Sequence, residues 1–369
     1  MVAFLRLGLT AFGGPAGHIA VMRDEFVRRR SWLDDPTFVD LIGVANLIPG
    51  PTSTELAMHI GYRRRGGAGL VVAGLGFLLP AVVIVGVLAW AYVTYGQRPE
   101  IAALLTGITP VVVAIVAHAG WSIALTAMRG AFAWVVFAAA IAAIAGGLPE
   151  ILVLLGAGAV GLLIRTGSQA GPMAVALTGL PWWPTAASVA VVSAATPLPI
   201  LGVFLKIGAV LFGSGYVLVA LLRSELVDGL GWITEAQLVD AVAVGQATPG
   251  PLFSTATFIG YVLGGPIGAV AATIGIFLPA FVAVGLSVRV LDRLRHSLRA
   301  RAFLDGVNAA AVALLAVVAV ELALGGVRDL VGAAVMLASF ALLVRGVGTG
   351  WLIAAGAAVG LIRLVLAPA

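Results

Sequence analysis

The chain has 369 residues, 61% of them hydrophobic and only 10% charged, with a formal net charge of +5 and a mean hydropathy of +1.13. Soluble domains carry about 25% charged and roughly 45–50% apolar residues, so a water-soluble globule is excluded. There is no cysteine, which removes disulfides, thiolate metal sites and Cys nucleophiles; the positive charge reports topology before partners, and no nucleic-acid partner is expected.

In chain order, apolar segments are predicted over about 4–22, 38–60, 68–95, 101–127, 131–148 and 150–164. Six more follow at about 204–222, 238–260, 266–288, 302–324, 329–344 and 349–366. Most are long enough for helices crossing a hydrocarbon core of ~30 Å, and the 48 glycines suit close helix packing in lipid. The first segment lacks a basic n-region and a small-residue cleavage site, so no cleavable signal peptide is expected. The stretch 166–200, with Gly, Ser, Pro and the pair Trp182-Trp183, reads as a linker between units 1–165 and 201–369. The tryptophans there suit a membrane interface.

The two units are copies. At an offset of 200 residues, Phe4-Leu5-Arg6 recurs as Phe204-Leu205-Lys206, and Phe12-Gly13 as Phe212-Gly213. Arg23 and Glu25 recur as Arg223 and Glu225, Trp32 as Trp232, and Asp40 as Asp240. Asn46 matches Gln246, and Pro49-Gly50-Pro51 matches Pro249-Gly250-Pro251. After a one-residue gap, Leu79-Pro80-Ala81 aligns with Leu278-Pro279-Ala280, and Gly107 with Gly306. A tandem duplication of this kind is a common way to build a transporter.

The arginines orient the copies. If the second segment of each copy enters and leaves on one side, one face receives 16 of the 21 Lys and Arg residues and the other 5. That is the asymmetry the positive-inside rule expects. Five crossings per copy invert one copy relative to the other. Proline removes a backbone donor and clashes with the preceding turn, so the Pro-Gly-Pro in the middle of the second segment divides it into two short arms. The predicted fold class is therefore all-α: a polytopic membrane helix bundle of two inverted-topology repeats with broken, re-entrant helices.

Polar groups gather at the breaks. Asn46 precedes the first, and Thr52, Ser53, Thr54 and Glu55 follow it; Gln246 precedes the second, and Ser254 and Thr255 follow. A helix restarting after a break presents unpaired N–H groups and the positive end of its dipole, which bind anions. The alternative for the hydroxyls is plain N-capping. Gly13 and Gly14 interrupt the first segment of copy one, and Gly213 and Ser214 that of copy two. His18 follows the first interruption, with Leu218 at its counterpart. Arg23, Glu25, Arg223, Glu225 and Lys206 are charges within or beside apolar runs. Such charges are costly in lipid, and each is expected to pair with another element or with substrate. Glu55 is the strongest candidate for a titrating, proton-coupling carboxylate, with His59 four residues later on the same helical face to tune it. His18, His59, His118 and His296 show no paired metal spacing, and no nucleophile–base pair is evident, so an enzyme is not expected.

The residues 12–60 and 212–260 resemble the repeated signature of the chromate ion transporter family. They include Phe12-Gly13-Gly14-Pro15, Arg23-Asp24-Glu25, Trp32 before an acidic stretch, and Asn46-Leu47-Ile48-Pro49-Gly50-Pro51. Gly76-Phe77-Leu78-Leu79-Pro80 and Gln246-Ala247-Thr248-Pro249-Gly250-Pro251 also fit. The resemblance covers both halves, as in the family's long two-domain form. It implies a plasma-membrane exporter of chromate coupled to the proton motive force, with sulfate as the structural analogue of the substrate. It also implies membrane lipid as surroundings and no cofactor; homodimerisation stays open. A passive anion facilitator is the alternative, and collapse of the proton gradient separates the two. Copy two departs from the pattern at Ser214 and Gly215 and lacks counterparts of Glu55 and His18.

Overall fold

A computed structural model describes residues 1–11, 14–166, 196–211, 215–288 and 297–366; Gly13, Gly213, Ser214 and the Trp182-Trp183 pair lie outside them. The described residues form an all-helical protein with no strand among them. In copy one the helices are α1 (Val2–Thr10), α2 (Gly14–Arg23), α3 (Asp35–Ala45), α4 (Thr52–Tyr95), α5 (Pro99–Ala127), α6 (Ala131–Ala145) and α7 (Glu150–Thr166). In copy two they are α8 (Pro197–Val210), α9 (Val217–Leu222), α10 (Glu235–Ala247), α11 (Thr255–Ser287), α12 (Leu298–Gly326), α13 (Leu330–Val344) and α14 (Thr349–Leu366). A π-helical turn closes the first segment in each copy, over Asp24–Arg29 and Arg223–Gly229. Helix α8 begins at Pro197, inside the stretch 166–200 read as a linker.

Among the described residues, five helical runs are long and apolar enough to cross a membrane: Thr52–Tyr95, Pro99–Ala127, Leu252–Ser287, Leu298–Gly326 and Thr349–Leu366. Large apolar side chains face outward, with Leu330 88% and Trp351 79% exposed, a surface that lipid accepts and water does not.

The long α4 is a hairpin. Arg65 and Gly66 leave helical geometry, and Gly61 packs directly against Gly69 and Ala73, so arm 52–64 folds back along arm 67–95. In copy two Gly264 and Gly265 leave helical geometry, and Gly260 packs on Gly268 and Ala272.

The second segment doubles back on itself. Helix α3 starts at Asp34, whose carboxylate caps the Thr37 amide at 3.0 Å, and it ends at Asn46, just before the prolines. Arm 52–64 then returns, because Arg63 acts electrostatically on Asp34 and the Arg64 guanidinium lies 5.3 Å from the Trp32 ring centre. The two ends of segment 38–60 thus meet at one end of the bundle. In copy two a capping box of Thr234 and Gln237 starts α10. Tyr92 touches both of its arms, donating to Asp240 at 2.8 Å and packing on Phe258 with ring centres 5.0 Å apart.

The copies interlock by small-residue contacts. Helix α5 approaches α14 through Gly107 against Gly356 and Gly360, and α12 approaches α7 through Gly306 against Ala157 and Gly158. Each copy's fourth segment therefore packs on the other's sixth. The two fourth segments also touch: Thr109 meets Gly326 and Gly120 meets Leu315. Residue numbers rise along one helix as they fall along the other, so α5 and α12, which occupy equivalent positions in the repeat, run antiparallel.

Candidate functional site

The two Pro-Gly-Pro breaks cross at the centre, each bonded to the other copy. The Gly50 N–H donates to the Leu211 carbonyl at 2.8 Å, and the Gly250 N–H donates to the Ala11 carbonyl at 3.0 Å. Ala11 and Leu211 are themselves the extended residues at which α1 and α8 stop. Both glycines hold positive φ, +137° and +100°. A methyl group on Gly50 would strike Ala280 at 2.8 Å, and one on Gly250 would strike Ala81 at 2.6 Å. Ala81 and Ala280 are repeat counterparts, so the crossing is reciprocal in side chain as well as backbone. Only glycine accommodates both the left-handed geometry and the approach.

At this crossing lies a cavity of about 30 Å³ lined by His18, Pro51, Thr52, Ser53, Gly215, Tyr216, Gly245, Gln246, Thr248, Gly250, Pro251, Leu252 and Phe253. A single water needs ~10–15 Å³ by this measure, so the space suits a small solute. In copy one the first helical amides bonded after the break are those of Thr54 and Glu55, to the Pro51 carbonyl, leaving the Thr52 and Ser53 amides at a helix start. In copy two the Ser254 amide bonds back to Pro251 in a short 3-10 turn, Leu252–Ser254. Two helical starts and their dipoles therefore open on one cavity.

The candidate residues divide by position. His18, Pro51, Thr52, Ser53, Gln246, Gly250 and Pro251 line the cavity. Asn46 stands behind it and accepts from the Thr52 hydroxyl at 3.3 Å. Pro49, Pro249 and Gly50 shape the breaks without lining the cavity, and Gly14 begins α2. Thr54, Ser254 and Thr255 are buried, their hydroxyls lack hydrogen-bond partners, and none reaches the cavity wall. The capping alternative is not realised: the N-cap of α4 is Pro51, with no side-chain cap.

Glu55 takes a position of its own. It is fully buried, neither carboxylate oxygen has a hydrogen-bond partner, and it is absent from the cavity lining. Its carboxylate folds back under the break instead, 2.5 Å from where a Gly50 side chain would begin. The expected tuning by His59 takes no form of hydrogen bond, since His59 Nε2 is also unpartnered. Residue 55 lies on the opposite side of arm 52–64 from Ser53 and one turn beyond Thr52, and its carboxylate turns toward Gly50.

The remaining charges pair away from the cavity. Arg23 bonds Asp35 at 2.8 Å and Glu25 bonds Arg30 at 2.6 Å. Lys206 bonds Glu225 at 2.5 Å, while Arg223 bonds Glu321 at 2.6 Å and Asp228 at 3.0 Å. As the sequence spacing predicts, Arg23 and Glu25 pair with other residues rather than with each other. The carboxyl groups of Asp34 and Asp35 sit below their usual range, the first through its hydrogen bonds with Thr37 and the second through that with Arg23.

Sequence reasoning missed Tyr216, which hydrogen-bonds Gln246, and the apolar wall of Leu252 and Phe253. Tyr216 stands opposite Ala16 in the repeat, so comparing the copies gave it no signal.

Comparison with known proteins gives a consistent picture. A family profile described as chromate transporter matches residues 1–162 and 198–361. A chromate transport protein of Pseudomonas aeruginosa is 36% identical over 87% of this chain and 79% of its own. One of Cupriavidus metallidurans is 31% identical over 98% of this chain and 92% of its own. An uncharacterized transporter of Bacillus subtilis, YwrB, aligns over 134 residues at 31% identity, covering 36% of this chain and 67% of its own. No solved structure matches.

Proposed function

Since this chain belongs to the chromate transporter family and is a multi-pass membrane protein, we propose that it exports chromate from the cytoplasm by a proton-coupled, secondary active mechanism. The observation that carries this reading is the crossing of both Pro-Gly-Pro breaks on one buried cavity. Duplicated broken helices at mid-membrane are where transporters hold substrate, and anions settle at helix starts. Thr52, Ser53, Gln246 and the amides after Pro51 and Pro251 hold the oxyanion. Their donors replace the water that the ion sheds. The two copies are inverted about an axis in the membrane plane, a reading supported by the antiparallel course of α5 and α12. Rocking of one copy against the other then opens the cavity to each side in turn. Glu55, buried without a partner beneath Gly50, carries the coupling proton: its charge alters the break that cradles the anion. Sulfate, a tetrahedral dianion of the same shape, competes.

The test is chromate uptake into everted membrane vesicles, with sulfate as competitor and an uncoupler as control. Export coupled to protons gives concentrative uptake that the uncoupler abolishes. Uptake that only follows the chromate gradient and ignores the uncoupler makes the protein a passive facilitator.

A further inference from the structure

A positive charge strengthens the hold on a dianion in a buried site, and the described residues of the cavity wall include neither lysine nor arginine. Among them the side chain able to become a cation is His18. That residue is 1% exposed, it lines the cavity, and neither ring nitrogen is in hydrogen-bonding geometry with a described group. The Ala11 carbonyl is close enough to interact with the ring, and it is the same carbonyl that accepts the Gly250 N–H. His18 therefore stands where the first-segment break of copy one meets the Pro-Gly-Pro break of copy two. The Phe77 ring packs on the imidazole nearly at right angles, with centres 5.6 Å apart. Across the cavity the Gln246 amide nitrogen is also buried and unpartnered.

We propose that His18 is the cation of the anion site, binding a tetrahedral dianion through its imidazolium so that each dianion takes up one proton where it binds. This rests on the transport reading above and deepens it. Both nitrogens of a protonated imidazole donate, and hydrogen bonds from a cation to an oxyanion are the stronger kind. An isolated buried charge is unfavourable, whereas the pair with a dianion is not. By linkage, proton and anion then promote each other's binding. The other titratable groups around α2 are accounted for. Tyr216 lines the cavity and bonds Gln246. On α4, Glu55 and His59 are buried off the cavity wall. On the π-helical turn, Asp24 pairs with Arg29 and Glu25 with Arg30, and Arg6 of α1 is exposed. Copy two has Leu218 in the equivalent place, fully buried in the core, so this charge comes from copy one alone.

The experiment measures binding of sulfate, whose own charge is constant over the range in which histidine titrates, about pH 5–8. Purified full-length protein in lipid nanodiscs is titrated at several pH values in weak buffer, recording affinity and proton uptake together. Wild type should take up about one proton per sulfate and lose roughly tenfold in affinity per pH unit on the alkaline limb. His18→Asn should bind at least tenfold more weakly at acid pH, with about one proton fewer taken up per sulfate and a flatter pH profile. His18→Arg should bind with a flat profile that persists at alkaline pH. Wild-type binding without proton uptake overturns the role of His18 and needs no variant to fold. A folded His18→Asn protein that keeps the wild-type proton count overturns it too. With either result, concentrative, uncoupler-sensitive chromate uptake would still uphold the transport reading. Absence of any sulfate or chromate binding by wild type overturns the cavity as the oxyanion site, and this inference with it.

Discussion

Hydroxyls on neighbouring residues, and at equivalent breaks of the two copies, meet different surroundings. Ser53 lines the cavity, whereas Thr54 and Ser254 are buried behind it with unpartnered oxygens. Ser53→Ala and Gln246→Leu should each weaken oxyanion binding by roughly 1.5–3 kcal/mol, about 10-fold to 150-fold. Thr54→Ala and Ser254→Ala remove polar atoms that bond nothing, and should leave affinity unchanged while holding or raising thermal stability. Equal losses at all four positions, measured by binding to purified protein, would return the hydroxyls to a merely structural role. For Glu55 the decisive measurement separates binding from coupling. Glu55→Gln keeps the size of the side chain and fixes its charge at zero, so it should bind chromate but no longer accumulate it against a gradient. If accumulation per folded molecule persists, the coupling proton travels elsewhere, with Glu25 next to test.

The elements depend on a few backbone positions. Gly50 and Gly250 combine positive φ with methyl-excluding contacts across the copies. Alanine at either should cost ~1–3 kcal/mol from backbone strain alone, and more where Ala280 or Ala81 must shift. The expected readout is a lower unfolding temperature together with lost transport, and the double substitution should be worse than either single one. Helix starts are a milder lever. Thr234→Ala breaks the capping box of α10 and should destabilise by about 1 kcal/mol. Asp34 caps α3 as a carboxylate held below its usual range by Thr37. Because its folded value is depressed, its contribution is present above its unfolded value, about pH 4, and is lost as pH falls through the folded one. Asp34→Asn should therefore lose that contribution at neutral pH and so flatten the acid limb of a stability-versus-pH curve. An unchanged acid limb would place that sensitivity in other carboxylates.

On the scale of the whole molecule, the copies hold each other. Each Pro-Gly-Pro break bonds the other copy's first segment, so neither site is complete within one copy. The antiparallel pairing of α5 with α12 makes a sharp prediction in a chain that has no native cysteine. Cysteines at 109 and 326, or at 120 and 315, should cross-link, and the mismatched pair 109 with 315 should not. With single cysteines and an impermeant reagent, residues 30 and 66 should label from the same side of the membrane. Labelling from opposite sides would remove the re-entrant arrangement of segment 38–60.

Much of this architecture was legible in residue order. Solvent, helical class, duplication and breaks all follow from the residue order: apolar runs of membrane length, a repeat register kept over about a hundred residues, and Pro-Gly-Pro triplets that end a helix. The asymmetry of the arginines anticipated that the ends of segment 38–60 meet, which Asp34, Trp32, Arg63 and Arg64 do. The tertiary structure decided which polar residue faces which space. Glu55 and Ser53 are two apart on one helix, hence on different faces, and only the packing of copy two against that arm determines which face borders the cavity. Tyr216 and His18 belong to different copies and reach one site because the breaks are exchanged between them. Sequence periodicity reports how a helix is divided into faces; what each face meets is set by contacts between segments far apart in the chain.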